Sequence, residues 1–349
     1  MKTFRFLVGM LTLLLVITSC GGGSGSGKGI TINATGAPYE LLVVVNKDIW
    51  KKEAGKALEG ILKSDAEGLP QAEPNFKVSV VDEANFDKIL KPVRNIIIVD
   101  IAKTYTKASM SYGKNVWSDG QMVLTIKAPD EKSFQDYVTA NGTKIVNFFV
   151  NSEMNRNITY FNSKYNTDIR NKVMDMFGAQ ISIPSDLKLD KAGENFYWVT
   201  NDASKGRMDF AIYAVPYKKS DAFSAKSLIA MRDSVMKENI KGSSDSMFMT
   251  TTKVMPVMCD TISVHGKFTV RLRGLWEMKN DMMGGPFVSL SRLDEKTQQI
   301  VTVEGFVFAP SMSKRNLIRR LESMLYTLKL SDELQKEDEL LLGVDENNK

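Results

Sequence analysis

The stretch LLVVVNKDIWKKEAGKALEGI, residues 41–61, carries the two patterns that set the fold class. Its first five residues are all apolar, the signature of a strand buried on both faces, as in a parallel sheet covered by helices. Trp50, Ala54, Ala57, Leu58 and Ile61 then recur at i, i+4, i+7, i+8 and i+11. That spacing predicts one helix with a single apolar stripe, opening after Asp48 as its cap. A strand feeding directly into an amphipathic helix is the opening unit of an α/β domain.

The same order continues downstream. Pro70 and Pro74 interrupt the chain, and Phe76, Val78 and Val80 alternate as a strand. Phe86, Ile89 and Leu90 suit a short helix, and residues 96–99 form a second buried strand ending at Asp100. A polar connection over 103–119 leads to a strand carrying Met122, Leu124 and Ile126, stopped by Pro129. Phe134, Tyr137, Val138, Ile145, Phe148 and Phe149 keep helical spacing, and a further long helix is predicted over 152–177, ended by Gly178 in a left-handed conformation. Beyond it, strands are expected over 180–183, 194–200, 207–215, 261–273, 287–290 and 300–308. Two helices accompany them, one with Leu228, Met231, Val235 and Ile240, the other with Leu317, Ile318, Leu321, Met324, Leu325 and Leu328.

The expected fold class is therefore α+β. An N-terminal α/β domain over 37–178 ends in a long helix and is followed over 179–330 by a mainly antiparallel sheet with packed helices, an α/β sandwich. Residues 331–349 form an acidic tail expected to be solvated or frayed.

At the N-terminus, Lys2 and Arg5 precede an uncharged run over 6–17 and then Thr18, Ser19 and Cys20. This is the pattern of an export signal, and its apolar run is well short of the roughly 20 residues that span a bilayer. Small residues before Cys20 resemble the lipobox of bacterial lipoproteins, with Ile17 where Leu is usual. The resemblance implies removal of residues 1–19 and acylation of Cys20, palmitate included; an ordinary secretory signal with a chance Cys is the rival. Residues 20–36 then read as a lipidated Cys and a flexible tether, because Gly-Gly-Gly-Ser-Gly-Ser-Gly-Lys-Gly over 21–29 has nothing to bury. With no acidic run after Cys20, a periplasm-facing location in the cell envelope is expected. The anchor makes the membrane the first expected partner.

Loss of Lys2 and Arg5 takes 46 basic residues to 44 against 41 acidic ones, a net charge of +3. Without a basic cluster interleaved with aromatics, nucleic acid is not an expected partner. Lipidated Cys20 would leave Cys259 as the lone thiol, so no internal disulfide is expected. The single histidine, His265, sits in the alternating run 261–268 and reads as an outward strand residue, with Cys259 as a small buried thiol. One His and one Cys do not make a zinc site or a nucleophile–base pair, and no cofactor is expected.

Three features have some functional character. Asn46 and Asp100 stand at the carboxyl ends of apolar strands, where open parallel sheets bind ligands, although both residue types also cap the turn that follows. The block over 276–287 combines Trp276 with Met278, Met282, Met283, Gly284, Gly285 and Pro286. Its glycines and proline predict a tight turn, and the block reads either as a partner-binding loop or as a hairpin with Trp276 in the core. Seven methionines of the 19 cluster over 247–283, which suits Cu(I) chemistry as well as flexible core filling. Strand, Ala-Pro and helix occur around 122–129 and again around 304–310, either from duplication or as a common way to end a strand.

The block Arg273-Gly-Leu-Trp-Glu-Met-Lys-Asn-Asp-Met-Met-Gly-Gly-Pro-Phe287, with residues 41–45 and 48–50 upstream and Ala309-Pro310 near the end, resembles the uncharacterised envelope lipoproteins grouped as domain of unknown function 4837 (DUF4837). That resemblance implies no activity. Ile181-Ser-Ile-Pro-Ser-Asp-Leu and Phe196-Tyr-Trp-Val are similar to PsbP-like α/β/α sandwiches, which implies an accessory or binding module. The expectation is a membrane-anchored, non-enzymatic binding or assembly module with an envelope protein as partner. A carboxylate- or metal-dependent hydrolase and a methionine-rich copper carrier are the alternatives.

Overall fold

A computed structural model describes residues 32–334. The expected export signal, Cys20 and the expected tether as far as residue 31 lie outside the described residues, as does the expected tail after Leu334.

The first sheet contains β1 (Glu40–Val44), β2 (Lys77–Val81), β3 (Asn95–Ile101), β4 (Ser109–Lys114) and β5 (Met122–Ala128), in the order β2-β1-β3-β5-β4. All pairings are parallel except that of the edge strand β4. The unbroken apolar run of β1 reflects burial of both faces. Leu41 and Val43 join a core under the helices, while Leu42 and Val44 pack with Ile96 and Val123 on the opposite side.

The helix expected after β1 is two helices, α1 (Lys47–Lys51) and α2 (Glu53–Leu62), and Asn46 rather than Asp48 caps the first. Gly55 permits the break, since a Cβ there would lie 2.3 Å from the Trp50 carbonyl oxygen. No helix forms over 86–90; Phe86 and Leu90 pack against the core around Leu42 and Ile96, while Ile89 is 74% exposed. The polar connection over 103–119 contains β4, whose Ser-Met-Ser-Tyr-Gly-Lys sequence lacks the apolar residues that mark buried strands.

The expected break near residue 150 is absent. A single helix, α3 (Glu131–Ser163), runs for 33 residues from its Asp130 cap, because nothing in between stops it. The chain breaks at 164–166 instead, and Asn166 caps α4 (Thr167–Phe177), which Gly178 closes at φ 60° as its sequence position predicts.

The second sheet is antiparallel, with strands β6 (Leu189–Gly193), β7 (Phe196–Thr200), β8 (Arg207–Pro216), β9 (Met249–Thr251), β10 (Met258–Val264), β11 (Lys267–Met278), β12 (Gly284–Asp294) and β13 (Gln299–Phe308). Its order is β10-β11-β12-β13-β8-β7-β6, with β9 also paired to β11. Helix α5 (Ala225–Asn239) covers one face, where Leu228 and Met236 meet Phe196 and Tyr213. Helices α4 and α6 (Arg315–Leu325) cover the other, where Val173, Leu321 and Leu325 meet Ile212 and Val303. The architecture is α+β throughout, with helices packed on both sheets.

The run over 261–273 is a hairpin, not one strand. His265 (φ 51°) and Gly266 (φ 76°) form its two-residue turn, so the histidine lies at a tip rather than on a strand face. Residues 180–183 contribute only an isolated bridge, Gln180 to Lys329. The first four residues of the expected tail are not frayed: Asp332 pairs with Lys267, and Glu333 with Arg292 at 2.7 Å and His265 at 3.2 Å. Burial pushes the Glu333 carboxyl up, but the hydrogen bonds from His265 and the Leu330 N–H, together with Arg292, hold it down at about 2.

The two sheets belong to one unit by their contacts. Helix α3 packs on α6, with Asn157 Nδ2 donating to Ser323 Oγ at 3.3 Å. The buried carboxylate of Glu73 accepts from the backbone N–H groups of Lys314 and Arg315, at 2.7 and 3.0 Å, and thereby caps α6 from the other sheet's side.

Candidate functional site, an arginine-lined cleft

A cleft of about 940 Å³ lies where α2, the loop over 64–69 and α3 face β11, β12 and α6. Strand geometry supplies its first charges. Alternate residues of β11 share a face, so Arg271 and Arg273 both line the cleft while Leu272 between them is buried in the core behind. Helix geometry supplies the next. Arg315 and Arg319, four residues apart on α6, line the same cleft with Ile318, Glu322 and Tyr326, while Leu321, Met324 and Leu325 seal α6 to the sheet.

Glu322 is the central counter-charge. Its Oε1 accepts from Arg271 Nη1 at 3.0 Å and Arg273 Nη2 at 2.6 Å. Arg271 also donates to Tyr326 Oη at 2.9 Å and to Asp260 at 3.0 Å. Burial works against the charge of Arg271, but Asp260, Glu322 and Tyr326 outweigh it and raise its pKa. Arg319 and Arg315 differ: Arg319 donates to Asn75 O at 3.2 Å and to Asn75 Oδ1, and Arg315 to Pro74 O and to Asn316 Oδ1 at 3.0 Å. Among the described residues neither has a carboxylate within ion-pair distance of its guanidinium. Burial, with the like charges of Arg315 and Arg273, brings Arg319 down to about 10 against the pull of Tyr39 and Glu322. A guanidinium at that value is still cationic at neutral pH, so the wall holds a positive charge that the protein itself only partly answers. In all, Lys56 and the four arginines face Asp65, Glu67 and Glu322.

The arrangement can hold an anion. Guanidinium forks form short charge-assisted hydrogen bonds to carboxylate or phosphate oxygens, and a partly buried site strengthens them. Neither His265 nor Cys259 is among the residues lining the cleft.

The residues singled out from sequence lie elsewhere. Asn46 and Asp100 stand at the carboxyl ends of the adjacent parallel strands β1 and β3, where strand order reverses. Each is used locally: Asn46 Oδ1 accepts from the Asp48 N–H at 2.9 Å, and Asp100 accepts from the Tyr105 hydroxyl. Trp276 is 3% exposed and Met282 is 98% exposed, while Met283 packs partly against the core around Trp276. Gly284, Gly285 and Pro286 do not form a turn. They open β12 opposite Glu277, Trp276 and Leu275, and the chain reverses over 279–283, with Asn280 at φ 60°. The glycines serve close approach instead, since a Cβ on Gly285 would lie 2.0 Å from the Val307 carbonyl oxygen.

Cys259 is exposed rather than buried. Of the clustered methionines, Met249 and Met278 pair across β9 and β11 in the core. No three His, Cys, Asp or Glu among the described residues come together as a metal site.

Sequence reasoning missed Arg271, Arg273, Arg315 and Arg319. The signal was present as Arg-x-Arg on an alternating strand and as arginines at i and i+4 on an amphipathic helix. What the sequence lacks is the fact that these two segments face one cleft.

Residues 166–327 match the family model described as "Domain of unknown function (DUF4837)", and residues 34–162 match a second, "Domain of unknown function (DUF8532)". The two matches meet at the break between α3 and α4. No curated protein matches the chain. Among solved structures, the Ran-binding protein Mog1p of Saccharomyces cerevisiae is similar over 44% of this chain and 90% of its own, at 8% identity and a TM-score of 0.28. The lipid transfer and protein localization domain of human StarD13 (DLC2) is similar over 39% and 88%, at 10% identity and a TM-score of 0.21. At scores this low neither likeness carries an argument. The chain carries two adjoining matches to domains of unknown function, and its cleft is lined from both.

Proposed function

We propose that the protein is a lipid-anchored envelope module that binds an anionic group in the arginine-lined cleft without catalysing a reaction on it. The observation that carries this reading is the pair Arg315 and Arg319, set in the cleft wall with only neutral acceptors for their guanidinium groups. Both are partly buried and lie over the Tyr39 ring, at 5.6 and 4.7 Å, but neutral groups offset the desolvation of a cation less fully than a charged partner does. An anion arriving from solution would supply one. The hydrolase and copper readings have no comparable support: the single histidine is engaged with Glu333 at a hairpin tip, and Met249 and Met278 serve the core.

The test is calorimetry of the full chain in phosphatidylcholine nanodiscs with inorganic pyrophosphate at low salt. Binding is expected, and Arg319→Gln should weaken it about tenfold or more, the worth of one charge-assisted hydrogen bond. Binding that is absent, or indifferent to Arg319→Gln, would defeat the reading.

The anchor is tested separately. Cys20→Ser is expected to abolish palmitate incorporation and membrane retention, because Cys20 is the acylated residue in this reading. Palmitate labelling of the substituted protein at wild-type level would sink it.

A further inference from the structure

We infer that the cleft takes an anionic amphiphile, a phosphate or carboxylate head carrying an aliphatic chain, with the head on the arginines and the chain along α3. This rests on the anion-binding reading above and adds the second half of the ligand. The α3 wall of the cleft carries a row at four-residue spacing, Gly142, Val146, Val150 and Met154, beside the exposed Thr143, Asn147 and Asn151. Residues four apart share one helix face, so Val146, Val150 and Met154 form, alongside that polar row, an apolar one. Ile61 and Ala57 of α2 extend it, and Leu69 and Ile318 continue it towards the arginines. Ile61, Val146 and Val150 are only partly buried, so apolar surface stays open to the cleft. A site for a bare inorganic anion needs no such wall.

Gly60 provides the means to test the chain separately from the head. It lines the cleft, and a Cβ added there would meet nothing within 4 Å. A side chain can therefore start at position 60 with its Cβ free of contact.

The experiment titrates methyl, butyl, hexyl and octyl phosphate, with octyl glucoside as a neutral control, into the full chain in phosphatidylcholine nanodiscs. Protein-free nanodiscs correct for partition into lipid. Burying one methylene is worth up to about fourfold in affinity, so a rise of about two- to fourfold per methylene is expected along the series, with no binding of octyl glucoside. Gly60→Phe should flatten the chain-length dependence and leave methyl phosphate binding within about twofold of wild type. Arg319→Gln should weaken every phosphate by a similar factor. Thermal melts of both variants check that they fold.

Equal affinity for methyl and octyl phosphate would overturn the amphiphile inference and leave the anion site standing. Failure of every phosphate, together with failure of pyrophosphate, would overturn both. Binding of octyl glucoside as strong as that of octyl phosphate would show a purely apolar groove and would also overturn the inference.

Discussion

Glu304→Ala is expected to destabilise the protein by about 3–5 kcal/mol, the cost of leaving a buried charge without its partner. Glu304 on β13 and Arg232 on α5 are both fully buried between sheet and helix. Arg232 Nε donates to the two carboxylate oxygens at 3.1 and 2.9 Å, and Nη2 donates to Oε1 at 2.7 Å. The remaining amino group donates to Thr251 Oγ1 at 2.9 Å, and the guanidinium lies 3.9 Å above the Phe287 ring. Burial pushes the Glu304 carboxyl up, while Arg232 opposes that shift. Alanine would remove both acceptors and leave the buried guanidinium only the part-exposed Asp233 carboxylate, 3.5 Å away, as a counter-charge. The double substitution Arg232→Met with Glu304→Leu should recover most of the loss, because two apolar side chains need no compensation. Chemical denaturation of the three variants measures this. A single substitution costing under about 1 kcal/mol would mean that water reaches the pair.

This ion pair shows where the sequence stops being legible. Glu304 stands inside the apolar run of β13 and Arg232 inside the apolar stripe of α5, where each reads as an exposed residue on a half-buried element. Only the packing of α5 onto the sheet makes them partners. The same limit hid the cleft. Elements with strong periodicity were readable: β1, β3, β5, β8, β13 and α6 follow from their apolar patterns, and Gly178 marks the end of α4. Elements with weak burial were not, as β4 and β6 are edge strands whose residues are mostly exposed. Glycine serves one physical purpose at two positions. At positions 55 and 285 it marks a close backbone approach at negative φ, whereas Gly-Gly-Pro had suggested a turn. Function was the least legible because its arginines become a site only through contact between segments some 40 residues apart.

Trp276→Ala is expected to cost about 3–5 kcal/mol and to lower the melting temperature sharply, as large-to-small changes in a packed core do. The indole is 3% exposed, and its Nε1–H donates to the Val307 carbonyl at 3.2 Å. It meets Phe306 edge to face at 5.7 Å and lies 6.4 Å from Phe308. Gly285 on the neighbouring strand keeps this space open, since a Cβ there would lie 3.3 Å from Trp276 Nε1. Alanine would remove the ring, leave a cavity among Phe306, Phe308 and Met278, and leave a buried carbonyl without its donor. Phenylalanine would refill much of the volume but not the hydrogen bond, so Trp276→Phe should cost less, about 1–3 kcal/mol. Met282, 98% exposed on the turn beside this core, provides the internal control. Met282→Ala should stay within about 0.5 kcal/mol of wild type, as an ordinary surface change does. If the two alanine variants melt alike, the block over 276–287 is not organised around a buried tryptophan.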